Sequence, residues 1–95
     1  MAQILNEKEL KTRLLGLPGW KVDGSQLVRI FEFDAFMDGV EFVKEVGELA
    51  EDLNHHPEID IRYKSVIFRL TTHDSDGVTQ KDIDFASEMD DLLGG

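Results

Sequence analysis

The sequence contains no cysteine. Disulfides, thiolate metal ligands and a cysteine nucleophile are therefore excluded. Positive charge is scarce, since ten Lys and Arg stand against twenty Asp and Glu, a formal net charge of -10. Such a surface repels nucleic acid, and no local cluster of Lys or Arg offsets it. Anionic membranes are disfavoured on the same grounds. A neutral or weakly polar small molecule meets no such barrier, and a protein partner stays open. Most of the acid reads as a solubilising surface. No apolar run approaches the roughly 20 residues that span a bilayer. The stretch Met1-Ala2-Gln3-Ile4-Leu5-Asn6 has no basic region followed by an apolar core, so no export signal is visible and the cytoplasm is the expected location.

What is present is an ordinary globular composition, 41% hydrophobic and 32% charged over 95 residues. That length predicts a single domain, residues 1–95. A chain this short buries a modest share of its surface, and oligomerisation would help it. Asn6 is placed to cap a first helix, with Glu9 reaching back and Leu5 and Leu10 as its hydrophobic staple. Leu10 and Leu14 share a face, and Gly16 supplies a stop. Leu17-Pro18-Gly19 is a turn into Trp20. Trp20 to Val22 and Gln26 to Phe33 read as two strands joined across Asp23-Gly24-Ser25. Apolar residues on both parities of the second strand predict cover on both sides for part of its length.

Asp34 is placed to cap the longest helix, about Ala35 to Leu53, with Phe36, Val40, Val43, Val46, Ala50 and Leu53 as its apolar stripe. Glu41, Glu45, Glu48 and Asp52 form the solvated face. Pro57 forces the helix to end near Asn54. Ile59, Ile61 and Tyr63 alternate with polar residues as a half-buried strand, and Ser65 to Thr72 forms another. Thr79-Gln80-Lys81-Asp82 matches a capping box before a last helix containing Ile83, Phe85, Ala86, Met89 and Leu93. Strands that come in hairpins predict an α+β domain: a four-stranded antiparallel sheet with three helices packed on one face, in the order α-β-β-α-β-β-α.

All three histidines, His55, His56 and His73, fall between Asn54 and His73. Imidazole is the side chain whose ordinary pKa suits proton transfer near neutrality. Glu51 lies one helical turn before His55, in reach at i, i+4 if the helix persists. His55 and His56 follow a helix C-terminus, whose dipole favours the imidazolium. His73 ends a strand, and Asp82 sits in the first turn of the next helix. Each also has a plainer reading: a loop histidine, a solvated carboxylate, a cap. Asp74-x-Asp76-Gly77 lacks the rest of a calcium-loop pattern and reads as a turn. A zinc site is conceivable, but adjacent histidines do not easily aim at one ion.

The spacing adds a further element. Glu51-x-x-x-His55-His56-Pro57, then Tyr63, His73 and Asp82, resembles the signature of the pterin-4a-carbinolamine dehydratase family. Gly19-Trp20, Asn54-His55-His56-Pro57-Glu58, Thr72-His73 and Gly77-Val78-Thr79 before Asp82-Ile83 resemble the family's flanking phrases. The chief departure is Ser65, where members often carry asparagine.

The resemblance implies conversion of 4a-hydroxytetrahydropterin, the by-product of aromatic amino acid hydroxylases, to quinonoid dihydropterin and water. That reaction needs no metal and no redox cofactor. It implies that His55, His56 and His73 line the pterin pocket, with His55 and His73 as the proton-transfer pair and His56 chiefly binding the ring. Glu51 would orient His55, and Asp82 would polarise a neighbouring histidine or hold the pterin. Trp20 would wall the pocket or belong to the core, and Thr72 would be a substrate contact. A homotetramer, or else a dimer, is implied, together with a functional link to an aromatic amino acid hydroxylase. The alternatives are a dimerisation cofactor that binds a regulatory protein, and a dehydratase for another pterin in molybdenum-cofactor metabolism.

Overall fold

Asn6 opens α1 (Glu7–Leu14) as a full capping box: its side chain accepts the Glu9 N–H at 2.8 Å, and the Glu9 carboxylate accepts the Asn6 N–H at 3.0 Å. These contacts belong to a computed structural model that describes residues 2–94. Met1, the first residue of the N-terminal stretch read above, and Gly95 lie outside the described residues. After α1 come β1 (Lys21–Asp23), β2 (Gln26–Glu32), α2 (Phe36–Leu53), β3 (Glu58–Arg62), β4 (Ser65–Leu70) and α3 (Gln80–Gly94). The order is the expected one.

The strands form one antiparallel sheet in the order β1-β2-β4-β3. Leu27 faces Leu70 and Phe31 faces Val66 across the central pair, and Ile59 faces Phe68 across β3 and β4. Directly opposed residues share a face of the sheet. Leu27, Phe31, Val66, Phe68 and Leu70 are accordingly buried in one cluster with Phe42 of α2. The rings of Phe31, Phe42 and Phe68 lie 5.1–5.6 Å apart. Each such fully buried side chain contributes about 1.5–3 kcal/mol. On the opposite face Val28 is buried but Ile30 is 51% exposed, so the chain covers only part of that side of β2.

Four expectations are corrected. Asp34 does not cap α2; Ala35 holds the extended N-cap conformation and no side-chain bond is made there. Asp34 lies one residue too early to reach the first-turn N–H groups. The buried face of α2 is Gly39, Phe42, Val46 and Ala50, while Phe36 and Leu53 are 44% and 45% exposed. The face is rotated because the helix meets the sheet at Gly39. A Cβ there would come within 3.2 Å of Phe33 and Val66, and a residue chosen for close approach leaves no mark in a hydrophobic pattern. Gly16 is not the left-handed stop of α1: the helix ends at Leu14, and the positive φ (91°) falls at Gly19, in the turn before Trp20. Tyr63 leaves its strand, turning the β3–β4 hairpin with φ 53°.

Candidate active site

α2 ends in a left-handed residue, Asn54 (φ 51°, ψ 46°). The His55 N–H then closes on the Ala50 carbonyl at 3.1 Å, a bond across five residues of the kind that terminates helices. Asparagine tolerates this conformation better than other non-glycine residues, and Pro57 prevents the helix from resuming. The turn sends the two histidines different ways. His55 points to α3, and its Nε2 lies 2.6 Å from Asp82 Oδ1. His56 turns back over the last turn of α2, where its Nε2 meets Glu51 Oε2. Glu51 was expected to orient His55; it holds His56 instead, because Asn54 breaks the i, i+4 relation before His55 is reached.

Asp82 is 0% exposed, in the first turn of α3. Its Oδ2 accepts the Thr79 N–H and the Thr72 hydroxyl, each at 2.9 Å. The Thr72 and Thr79 hydroxyls are 2.7 Å apart, and Thr79 Oγ1 accepts the Lys81 N–H at 3.2 Å. The capping box predicted at Thr79 is thus present, with the carboxylate arm reaching the cap N–H and the hydroxyl arm meeting the second helical N–H. Among the described residues, no buried side-chain nitrogen or oxygen lacks a partner.

His73 follows β4 in the loop that the Thr72–Gly77 bridge closes. In that loop the Asp76 N–H reaches the Thr72 carbonyl at 2.8 Å, so Asp74-Ser75-Asp76-Gly77 is a turn, as expected. The loop and the end of α2 form the two sides of a cavity of about 300 Å³ lined by Asn54, His55, His56, Thr72, His73, Asp74 and Lys81. This volume is at the lower end of small-molecule sites, roughly 300–1,000 Å³. A second hollow, about 160 Å³, lies beside it and shares His55 and Lys81. Among the described residues, no three His, Asp or Glu side chains gather as a metal-binding group. No helix there is long and apolar enough to cross a membrane.

All three histidines and Thr72 meet at this cavity, with Asp82 behind His55 and Glu51 beside His56. Trp20 does not. Its indole N–H donates to Asp90 Oδ1 at 3.1 Å, and its ring packs edge-on against Phe31. Arg29, on the core side of the sheet, donates to the same Asp90 oxygen at 2.9 Å and lies 4.2 Å over the Phe31 ring. Trp20 is thus a core residue that clamps α3, because the turn at Gly19 directs it inward over β2. Asn54, Asp74 and Lys81, which the sequence marks only as a helix end, a turn residue and part of a cap, also line the cavity. Lys81 precedes Asp82 and, among the described residues, brings the one Lys or Arg side chain on the cavity wall.

Residues 3–92 match the family model described as pterin 4 alpha carbinolamine dehydratase. A protein of Mycobacteroides abscessus, named as a candidate pterin-4-alpha-carbinolamine dehydratase, is 43% identical over 91 residues, 96% of this chain and 97% of its own. One of Natronomonas pharaonis with the same name is 45% identical over 92 residues, covering 97% and 98%. The crystal structure of a transcriptional coactivator/pterin dehydratase from Brucella melitensis superposes with a TM-score of 0.90 at 37% identity, over 95% of this chain and 98% of that one. A pterin dehydratase-like protein described as a RuBisCO assembly factor of the alpha-carboxysome shares the fold, at TM-score 0.66 and 21% identity over 80% and 88%. With its histidines, fold and relatives in agreement, the chain belongs to the pterin-4a-carbinolamine dehydratase family.

Proposed function

We propose that the protein is a hydro-lyase that removes water from 4a-hydroxytetrahydropterin, yielding quinonoid dihydropterin, by histidine acid–base catalysis. One observation carries the reading: imidazoles from two distant segments, His55 and His56 after α2 and His73 after β4, line a single small cavity. The elimination asks for that arrangement. One group takes the proton of N5 while another delivers a proton to the hydroxyl leaving C4a, and no nucleophile is required. Asp82 holds His55, and Glu51 holds His56 at the rim, where it binds the ring. The substrate would come from an aromatic amino acid hydroxylase in the same cytoplasm.

Stopped-flow absorbance of freshly generated 4a-hydroxytetrahydropterin tests this. The purified protein accelerates its decay, and His73→Ala loses about 10²-fold of that acceleration with an unchanged circular dichroism spectrum. A wild-type rate equal to the buffer background would sink the reading.

A protein-binding role is the second reading, favoured by the coactivator half of the Brucella neighbour's description. The protein is also expected to be a homotetramer or dimer, supported by the exposed apolar side chains of Ile30, Phe36 and Met37 and by the outer edges of β1 and β3, which pair with no further strand among the described residues. Sedimentation velocity reads the oligomer directly.

A further inference from the structure

We propose that the second hollow, beside His55, is a subsite for the substituent on C6 of the pterin, and that Lys81 and Asp84 make it selective for a short uncharged chain bearing hydroxyls. This rests on the dehydratase reading and names the residues that choose among its substrates.

The two hollows differ in what they can hold. At about 160 Å³ the smaller lies well below the roughly 300 Å³ at which small-molecule sites begin, so a fused ring belongs in the larger one. The smaller is an annex lined by Leu53, His55, Lys81 and Asp84, and it adjoins the larger cavity along the two residues they share, His55 and Lys81. C6 is bonded to N5, an atom of the reacting edge. A ring whose reacting edge faces the imidazoles therefore starts its C6 substituent beside them, and the annex lies next to one of them.

The walls of the annex decide what that substituent is. Lys81 and Asp84 are exposed residues one turn apart at the start of α3. Among the described residues the ion pairs are made by Arg29, His55, His56, Arg62 and Arg69, so the Lys81 ammonium keeps its donors. Asp84 Oδ1 accepts the Gln80 amide N–H at 2.9 Å, and Gln80 Oε1 in turn accepts from Arg13 Nε of α1 at 2.6 Å. This chain steadies the Asp84 carboxylate and leaves Oδ2 without a hydrogen bond among the described residues. The annex thus offers a cationic donor and an anionic acceptor whose charges cancel. A hydroxyl both donates and accepts, so a diol satisfies both groups. A phosphate or carboxylate would meet Asp84 with like charge, a repulsion that selects against it. Leu53, 45% exposed at the end of α2, gives the carbon atoms of the chain an apolar surface.

Isothermal titration with stable 7,8-dihydropterins reads the subsite without turnover. Three ligands differ only at C6, which carries propyl, 1,2-dihydroxypropyl or a phosphorylated hydroxymethyl group. The wild type is expected to bind the diol about tenfold more tightly than the propyl ligand, and the phosphate ester no more tightly than propyl. Lys81→Met keeps the aliphatic stem, and Asp84→Ala removes the carboxylate. Each should cut the diol preference by about threefold, and the double variant should abolish it, with an unchanged circular dichroism spectrum. Equal affinity for diol and propyl in the wild type overturns the proposal, as does a preference unmoved in the double variant. A phosphate ester bound more tightly than the diol overturns the uncharged class. A wild type with the expected preference that leaves dehydration at the buffer rate fails the function reading, and an active one with no preference fails only this assignment.

Discussion

Two adjacent histidines in this site each meet a carboxylate, and the two pairs differ in almost everything else. The His55 and Asp82 side chains are 13% and 0% exposed, whereas those of His56 and Glu51 are 57% and 76% exposed. Asp82 is further held by two threonines and the start of a helix. No hydrogen bond besides that to His56 engages the Glu51 side chain among the described residues. Screened surface pairs contribute roughly 0–1 kcal/mol. Breaking a buried pair leaves its other members without partners in a low dielectric, which costs about 3–5 kcal/mol. The lesson is that a histidine–carboxylate contact says little until the groups behind the carboxylate are counted.

The contrast can be pressed with three substitutions. Asp82→Ala strands the Thr72 hydroxyl, the Thr79 N–H and His55 together, and should cost about 3–5 kcal/mol in urea unfolding. A loss under about 1 kcal/mol would mean that the buried pair behaves like the exposed one. Thr79→Val removes the cap contact to the Lys81 N–H and the donor to Thr72, while Asp82 keeps its other partners. It should cost about 1–2 kcal/mol, seen as a Tm lower by about 4–8 °C for each kcal/mol. Glu51→Gln should change stability by less than about 0.5 kcal/mol. If its melting curve instead fell as far as that of Thr79→Val, the exposed pair would belong to the framework of the site.

Much of this architecture was legible because the deciding residues are local. The Asn6–Glu9 box, the Asp23-Gly24 hairpin, the Thr79–Asp82 cap and the order of the elements all follow from neighbours in the chain. The convergence of His55, His56 and His73 on one cavity was implied only by the family resemblance that their spacing carries. What escaped depends on one conformational choice or on a missing side chain. A left-handed Asn54 exchanged the histidine that Glu51 serves. Gly39, having no side chain, rotated the buried face of α2 unseen. The inward turn at Gly19 put Trp20 into the core and away from the cavity, and Lys81 gave no sign of its position because any exposed lysine in a first helical turn looks alike.

The clamp on Asp90 has a consequence for the far end of the molecule. The last helix is tied down twice, at Asp82 by the threonine relay and at Asp90 by Trp20 and Arg29, points about 12 Å apart along its axis. A rod fixed at two places can neither roll nor slide, so the carboxylate behind His55 inherits its bearing from the sheet as well as from its own loop. Whatever follows the second tie, Asp91 to Gly94, is free to vary in sequence without disturbing where that carboxylate aims.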